Sequence, residues 1–320
     1  GIEDADPCYH WTLADTQKIQ RQMADAKSCF VIGAGFISLL TVSALIKVAN
    51  LKYTIVEMAD QVMPQLLDEP AGRALERVMR EKGIDLILGD TVASIERATS
   101  GYTITLKSGA SYQADMIVVG AGVRPNADFL KTPPSVHPKA LEGSAEHARS
   151  ASGPDIERGI LVNDRQETSL PDIYAAGDCA EGFDFLTEER AVHAIWPTAV
   201  DQGRIAGANM TGDSQRYPGS LSWNVTELFG ITMASVGEFR ERPGWEPIVF
   251  QNPSANTYRK LLLNEGAIVG AVVIGNAQHV QDLGVVQAMI RRKTNVNRWR
   301  YMLAGERINY GMLAYESIRK

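Results

Sequence analysis

Cysteine is scarce. The chain has three in 320 residues, and Cys8, Cys29 and Cys179 share no CxxC or CxxxxC spacing, so a disulfide framework, a zinc cluster and a redox-active cysteine pair are all excluded. No apolar run approaches the length of a membrane span, and the opening GIEDADPCYHW has none of the regions of a signal peptide. Positive charge is in deficit: 32 Lys and Arg against 38 Asp and Glu leave a net charge of −6, which argues against a nucleic-acid surface or a basic membrane patch. No internal repeat is evident. With 45% apolar and 22% charged residues the composition is that of an ordinary globular protein, long enough for two or three domains and expected in the cytoplasm.

What the chain does have is a glycine turn in a telling place. Residues 30 to 38, Phe-Val-Ile-Gly-Ala-Gly-Phe-Ile-Ser, run from a buried-strand pattern through glycines into an apolar helix. Nineteen residues after Ser38, a second strand, Tyr53-Thr-Ile-Val-Glu57, ends in an acid. This is the pattern of a dinucleotide site: Gly33 makes the tight turn, Gly35 lets backbone approach a pyrophosphate, Phe36 and Ile37 open the helix, and Glu57 accepts from ribose hydroxyls. Ser38 stands at the third glycine position and is expected to loosen helix–strand packing slightly. Met58-Ala59-Asp60 after Glu57 offers no Arg or Lys for a 2′-phosphate, so NAD is favoured over NADP. As a solvated strand-end charge, Glu57 would leave that preference open.

The remaining patterns give a coarse map. A short polar helix begins near Thr12 or Asp15. Strand 28–32, helix 36–49, strand 52–57 and helix 68–82 precede strands at 84–88 and 91–97, a hairpin over 101–113 turning at Ser108-Gly109, and strand 115–119. Residues 131–157, rich in Pro, Ser, Ala and charge, read as a long surface excursion; His137 and His147 within it have no acid or Cys at ligand spacing. Strand 159–163, a short buried strand at Ile173-Tyr-Ala-Ala stopping at Gly177-Asp178, and a helix from Pro197 to Met210 follow. From about 216 the pattern is alternating strands at 223–228, 231–237, 247–251, 257–263 and 267–274, with turns at Phe229-Gly230 and Asn264-Glu265-Gly266, then a helix at 277–291.

Taken in order, Val31-Ile-Gly-Ala-Gly-Phe-Ile, Val118-Val-Gly-Ala-Gly-Val-Arg-Pro-Asn126 and Thr168-Ser-Leu-Pro-Asp-Ile-Tyr-Ala-Ala-Gly-Asp178 resemble the FAD-dependent pyridine nucleotide-disulfide oxidoreductases. The similarity is nearest to the branch with NADH-dependent rubredoxin and ferredoxin reductases, NADH oxidases and the flavin module of nitrite reductase. The resemblance implies an α/β fold: Rossmann-like three-layer ββα dinucleotide-binding domains plus an α+β C-terminal interface domain. It implies a lead-in over 1–26, an NAD-binding domain at 27–126, the second half of an FAD-binding domain at 127–215 and an interface or dimerisation domain at 216–320. Gly122 would lie by the nucleotide. Gly177 and Asp178 fall on the family turn whose carboxylate holds the FAD ribityl chain, and Pro197, Thr198 and Ala199 would point a helix N-terminus at the flavin. On the residues alone Asp178 is equally a turn aspartate.

Two departures are expected to matter. Family members begin with their own GxGxxG for the FAD pyrophosphate, whereas Gly1-Ile2 resembles the end of the linker that closes that first FAD half, so the sequence reads as N-terminally truncated. Members also carry Gly-Leu-Glu after the turn, with the Glu near nicotinamide and flavin; the aligned run here is Ser38-Leu39-Leu40, and a leucine accepts no hydrogen bond. The implied activity is NADH-dependent flavoprotein oxidoreduction, an enzyme passing a hydride from NADH to FAD and then electrons to rubredoxin, ferredoxin or an iron-sulfur subunit. The alternative is a non-catalytic nucleotide-binding or assembly subunit of a larger oxidoreductase complex. A simple NAD-dependent dehydrogenase is disfavoured, because no Tyr-Lys, zinc or His-Asp arrangement stands at a convincing spacing. No acid–base triad is required. His193 is a packed or solvated histidine, or a contact of the flavin edge; Cys29 is apolar filler and Cys179 an inert thiol; Trp223, Leu228 and Phe229 serve either a homodimer or complex interface or the core of the third domain.

Overall fold

The computed structural model describes residues 1–130, 153–281 and 283–305; the expected excursion over 131–157, with His137 and His147, falls largely outside them. The described residues cluster into two units, one formed by Gly1–Gly122 with Asn224–Lys320 and the other by Val123–Trp223.

In the first unit, helix α1 (Leu13–Met23) starts at Thr12, whose side chain and that of Asp15 each accept the other's backbone amide. Strand β1 (Ser28–Ile32), helix α2 (Phe36–Leu45), β2 (Lys52–Glu57), α3 (Glu69–Glu81) and β3 (Asp85–Leu88) build an alternation of parallel strands and helices. Strands β4 (Val92–Arg97), β5 (Tyr102–Leu106) and β6 (Ser111–Ala114) form an antiparallel meander, after which β7 (Met116–Val119) returns beside β1. The parallel sheet has the order β3-β2-β1-β7. Both its faces are covered, so Cys29, Phe30 and Val31 of β1 and Tyr53, Thr54, Ile55 and Val56 of β2 are buried in unbroken runs rather than alternately. Phe30, Val56 and Ile117 pack against Ile95, Tyr102 and Ile104 of the meander, and Val31, Ile55 and Val118 pack against Leu39 and Val42 of α2 and Leu75 of α3. That is the three-layer ββα arrangement expected.

In the second unit, β8 (Ile160–Leu161) pairs in parallel with β9 (Ala180–Phe183), which pairs antiparallel with β10 (Arg190–Ala191), and α4 (Trp196–Met210) follows. The short strand expected at Ile173–Ala176 does not form. Tyr174 makes a single bridge to Glu167, because Asp172 adopts φ 61° directly after Pro171 and the chain folds back at once, leaving Ile173 45% exposed.

The C-terminal strands β11 (Trp223–Leu228), β12 (Ile231–Gly237), β13 (Glu246–Asn252), β14 (Thr257–Asn264) and β15 (Ala267–Gly275) form one sheet in the order β11-β12-β15-β14-β13. The turns at Phe229-Gly230 (φ 55° and 87°) and Glu265-Gly266 (φ 49° and 81°) are left-handed at both positions, the geometry that matches strand twist in tight hairpins. The expected single helix over 277–291 is two, α5 (Ala277–Val280), capped by Asn276, and α6 (Leu283–Arg291).

This sheet is not a separate body within its unit. Leu228, Phe229, Met233, Tyr258 and Ile274 belong to the same core as α2 and α3, and the Phe229 amide donates to Ser43 Oγ at 2.9 Å. Leu228 and Phe229, at 0% and 7% exposure, therefore form core and not a free interface. A polar clasp fixes the contact: Asp68, the N-cap of α3, accepts from Tyr258 Oη at 2.7 Å and pairs with Lys260 Nζ at 2.8 Å, with Glu241 at 3.4 Å from the same ammonium. Burial and the neighbouring carboxylates push the Tyr258 phenol far up. Replacing Asp68 by Ala leaves a buried ammonium with one distant partner and removes a helix cap, so unfolding in urea should show a loss of about 3–5 kcal/mol; a loss under about 1 kcal/mol would mean that the apolar contacts alone hold the sheet.

Candidate functional site

At the carboxyl end of β1, Gly33 takes φ 94°, and a Cβ there would meet Gly120 O at 2.7 Å, so only glycine fits the turn. Gly35 is the N-cap of α2 and is not itself strained: a Cβ would find its nearest neighbour at 3.9 Å. Its value lies in bareness. No side chain caps α2, which leaves first-turn amides turned outward beneath an open backbone, an arrangement able to receive an anion. Phe36 and Ile37 begin that helix, as expected, and Ile37 O accepts the Thr41 hydroxyl at 2.8 Å.

Glu57 closes the other side. Its Oε2 accepts the Ala34 amide at 2.7 Å and its Oε1 the Ala59 amide at 2.9 Å, so the carboxylate is clamped to the glycine turn and each oxygen keeps a further lone pair for a hydroxyl donor. Asp60 reinforces the acidity: its Oδ1 would stand 3.0 Å from a Cβ on Gly89, at the end of the next strand. A dinucleotide with free ribose hydroxyls fits these groups, and a 2′-phosphate does not.

The serine at the third glycine position is accommodated by a residue that sequence reasoning missed. Ser38 is fully buried and its Oγ donates to Gly120 O at 3.3 Å; a Cβ on Gly120 would lie 2.1 Å from that Oγ and 3.1 Å from Ser38 N. The space normally left by a helix glycine is supplied from the strand side. The Gly-Ala-Gly run after β7 was the only signal for it. Gly122, two residues on, takes φ 101° in an exposed loop with nothing within 4 Å of a Cβ. Leu40 is half-buried against the core, so its side chain contributes packing rather than polarity. Substituting Gly120 by Ala should abolish dinucleotide binding in a calorimetric titration, and adding Ser38→Gly in the same chain should restore it; failure of the pair to recover would place the damage elsewhere.

In the second unit the turn at Gly177, which packs against α4, is built the same way. Gly177 takes φ 81°, and a Cβ would meet the Ala199 Cβ at 3.3 Å. Its amide donates to the buried Gln202 Oε1 at 2.8 Å, a partner not foreseen, which locks α4 to the turn. Asp178 is exposed beside it, Pro197 is exposed, Thr198 is buried and Ala199 half-buried, and no side chain caps the helix. An exposed carboxylate next to an uncapped helix N-terminus supplies one hydroxyl acceptor and one set of anion-facing amides.

His193 is a packed histidine. Its Nε2 lies 3.0 Å from Asp184 Oδ2, although its angle is not that of an ordinary hydrogen bond. Burial pushes Asp184 up, but the His193 contact and the Thr187 and Leu186 amides outweigh it and hold the carboxyl below its usual range. A depressed carboxylate contributes stability above its unfolded value, about 3.9, that is lost as pH falls through the folded value. Asp184→Asn should flatten the fall in unfolding free energy below about pH 4; an equally steep fall would remove this pair as its source.

The cysteines are structural. Burial pushes the Cys8 thiol up to about 11 and the Cys29 thiol up to about 12, while Cys179 is partly exposed with its Sγ 3.4 Å from Ala176 O. Titration of the native chain with a thiol reagent near neutral pH should modify Cys179 and spare the other two until denaturation. No group of three or more metal-ligating side chains occurs among the described residues, and none of the helices there is long and apolar enough to cross a membrane.

Comparison with known proteins gives a consistent pattern. Residues 1–203 match the family described as pyridine nucleotide-disulphide oxidoreductase, and residues 224–294 match the rubredoxin NAD+ reductase C-terminal domain. The chain is 30% identical over 288 residues to the NADH-dependent phenylglyoxylate dehydrogenase subunit epsilon of Aromatoleum evansii, covering 89% of this chain and 63% of that one. It is 27% identical over 304 residues to an NADH oxidase of Methanocaldococcus jannaschii, covering 89% and 62%. The solved NAD-dependent persulfide reductase of A. fulgidus superposes with a TM-score of 0.78 at 26% identity, over 92% of this chain and 54% of that one. The chain thus spans less than two thirds of the length of these relatives.

Proposed function

Because this chain belongs to the pyridine nucleotide-disulphide oxidoreductase family, we propose that it works as the NADH-binding and acceptor-side part of an NADH-dependent flavoprotein oxidoreductase, with NAD and FAD as cofactors. The observation that carries this is the clamp of Glu57 on the glycine turn, with both carboxylate oxygens on backbone amides at 2.7 and 2.9 Å. NADH, when bound, supplies a hydride and FAD accepts it. The protein's own contribution is binding and orientation. The bare backbone at Gly35 and the uncapped start of α2 hold a pyrophosphate, Glu57 receives ribose hydroxyls and its charge, with Asp60, repels a 2′-phosphate. In the second unit Asp178 would accept from the FAD ribityl chain, and the first turn of α4, at Pro197, Thr198 and Ala199, would stabilise the negative charge of the reduced flavin.

The acceptor belongs to the same proposal. The match of residues 224–294 to the rubredoxin NAD+ reductase C-terminal domain favours a small redox protein of the rubredoxin or ferredoxin type, or an iron-sulfur subunit, and a cytoplasmic setting suits such a partner. The test is an anaerobic absorbance titration of the purified chain with FAD supplied. The visible absorbance of oxidised flavin should appear on the protein and bleach with NADH, and bleach far less readily with NADPH. Binding of NADH with no flavin retained would instead support a nucleotide-binding or assembly subunit.

A further inference from the structure

His10 is used by nothing described so far, and the topology sets it at the ligand end of the sheet. Cys8 pairs in parallel with Val118 at the outer edge of β7, its amide donating to Ile117 O and its carbonyl accepting from the Val119 amide, both at 2.8 Å. The pairing is parallel, so the chain leaves it at the carboxyl end of the strands, and His10 comes two residues later. Open α/β sheets bind ligands at that end, at the point where strand order reverses. In the order β3-β2-β1-β7 the reversal falls between β1 and β7. Glu57 stands on the β2 side of the glycine turn and His10 on the β7 side. A dinucleotide anchored by its adenosine ribose at Glu57, with its pyrophosphate over Gly35, therefore extends its other half toward β7 and His10.

The imidazole is held in one orientation. Its Nδ1 lies 2.7 Å from Thr41 Oγ1, on a side chain of α2 that is 2% exposed. The single hydrogen of the Thr41 hydroxyl goes to Ile37 O at 2.8 Å. With that hydrogen on Ile37 O, Thr41 Oγ1 accepts from the ring, the tautomer in which Nδ1 carries the proton and Nε2 of the neutral imidazole is an acceptor. His10 is itself half-buried, and its neighbours Tyr9 and Trp11 are 48% and 66% exposed.

We propose that His10 is a positioning residue for the nicotinamide half of the dinucleotide, its Nε2 accepting an N–H of the carboxamide while Thr41 fixes the ring. This rests on the dinucleotide site proposed above. The carboxamide offers the N–H donor that such an acceptor needs at that end of the molecule; the amine and ribose hydroxyls of the adenosine are donors too but sit at the Glu57 end, and the pyrophosphate has none.

The test is calorimetric titration of the whole chain with NADH and with ADP-ribose, which carries every group of NADH except the nicotinamide. His10→Asn keeps an N–H for Thr41 and removes the Nε2 acceptor. NADH should bind about three- to tenfold more weakly, the loss of one hydrogen bond, with ADP-ribose affinity unchanged; the retained ADP-ribose binding shows that the variant is folded. Thr41→Val, which releases the ring, should weaken NADH in the same selective way. Equal weakening of both ligands by His10→Asn would make His10 a structural prop and overturn the proposal, as would unchanged NADH affinity. An unaltered chain that binds neither ligand would bring down the dinucleotide site itself, an outcome distinct from a failure at His10.

Discussion

How near α2 comes to the ends of β1 and β7 governs the glycine turn between β1 and α2. The helix must start almost on the sheet for its first-turn amides to be open to an anion, and that start leaves no room for a Cβ at Gly120, whose own carbonyl leaves none at Gly33. Ser38 would push the helix away if the strand side carried a side chain. Since Gly120 carries none, Ser38 sits fully buried and turns its hydroxyl to the Gly120 carbonyl. Position 38 and position 120 are thus one steric constraint written in two places, and Glu57 then closes the turn by accepting the Ala34 amide.

The same helix explains the C-terminal sheet. The sequence of α2, FISLLTVSAL, is apolar nearly all round, which a helix facing water on one side would not be. One side of the layer of α2 and α3 packs on the parallel sheet and the other on Leu228, Phe229, Met233 and Ile274. Apolar burial supplies most of the attraction, and the clasp of Asp68, Tyr258 and Lys260 sets where the surfaces meet. A polar group buried there is tolerated because each member has partners. The result is a nucleotide fold whose helix layer is covered twice, with Lys260 nearly inaccessible at its edge.

In the second unit a smaller version of the same logic operates. Gly177 lets the chain turn against Ala199, and Gln202, one turn further along α4, takes the Gly177 amide. Asp178 is left exposed beside the helix start. The buried Glu181 acts similarly on the far side of the turn, receiving the Arg158 and Gly159 amides at 2.8 and 2.9 Å. Charge is placed where backbone amides converge, which keeps short, irregular segments in a single arrangement.

Local chemistry was legible in the chain. The strand, glycine turn and helix at 28–45, the acid at 57, the capped start of α1, and the two hairpin turns at Phe229-Gly230 and Glu265-Gly266 each depend on residues within a few positions of one another, so periodicity and turn residues sufficed to find them. The strand expected at Ile173–Ala176 failed for a related reason: the left-handed Asp172 ended a ladder too short to begin. Pairing between distant positions carries no local signal. Gly120 answering Ser38, Gln202 answering Gly177, Phe229 donating to Ser43, and His10 meeting Thr41 across 31 positions exist only after the sheet has formed. The sequence by itself determined which segments become strands, helices and turns, and that one turn suits a dinucleotide, because those are short-range steric and periodic properties. Which side chains face that turn, which are spent as core and which keep a free polar atom was decided by the tertiary structure, since packing density and hydrogen-bond satisfaction are settled between residues that the chain holds far apart.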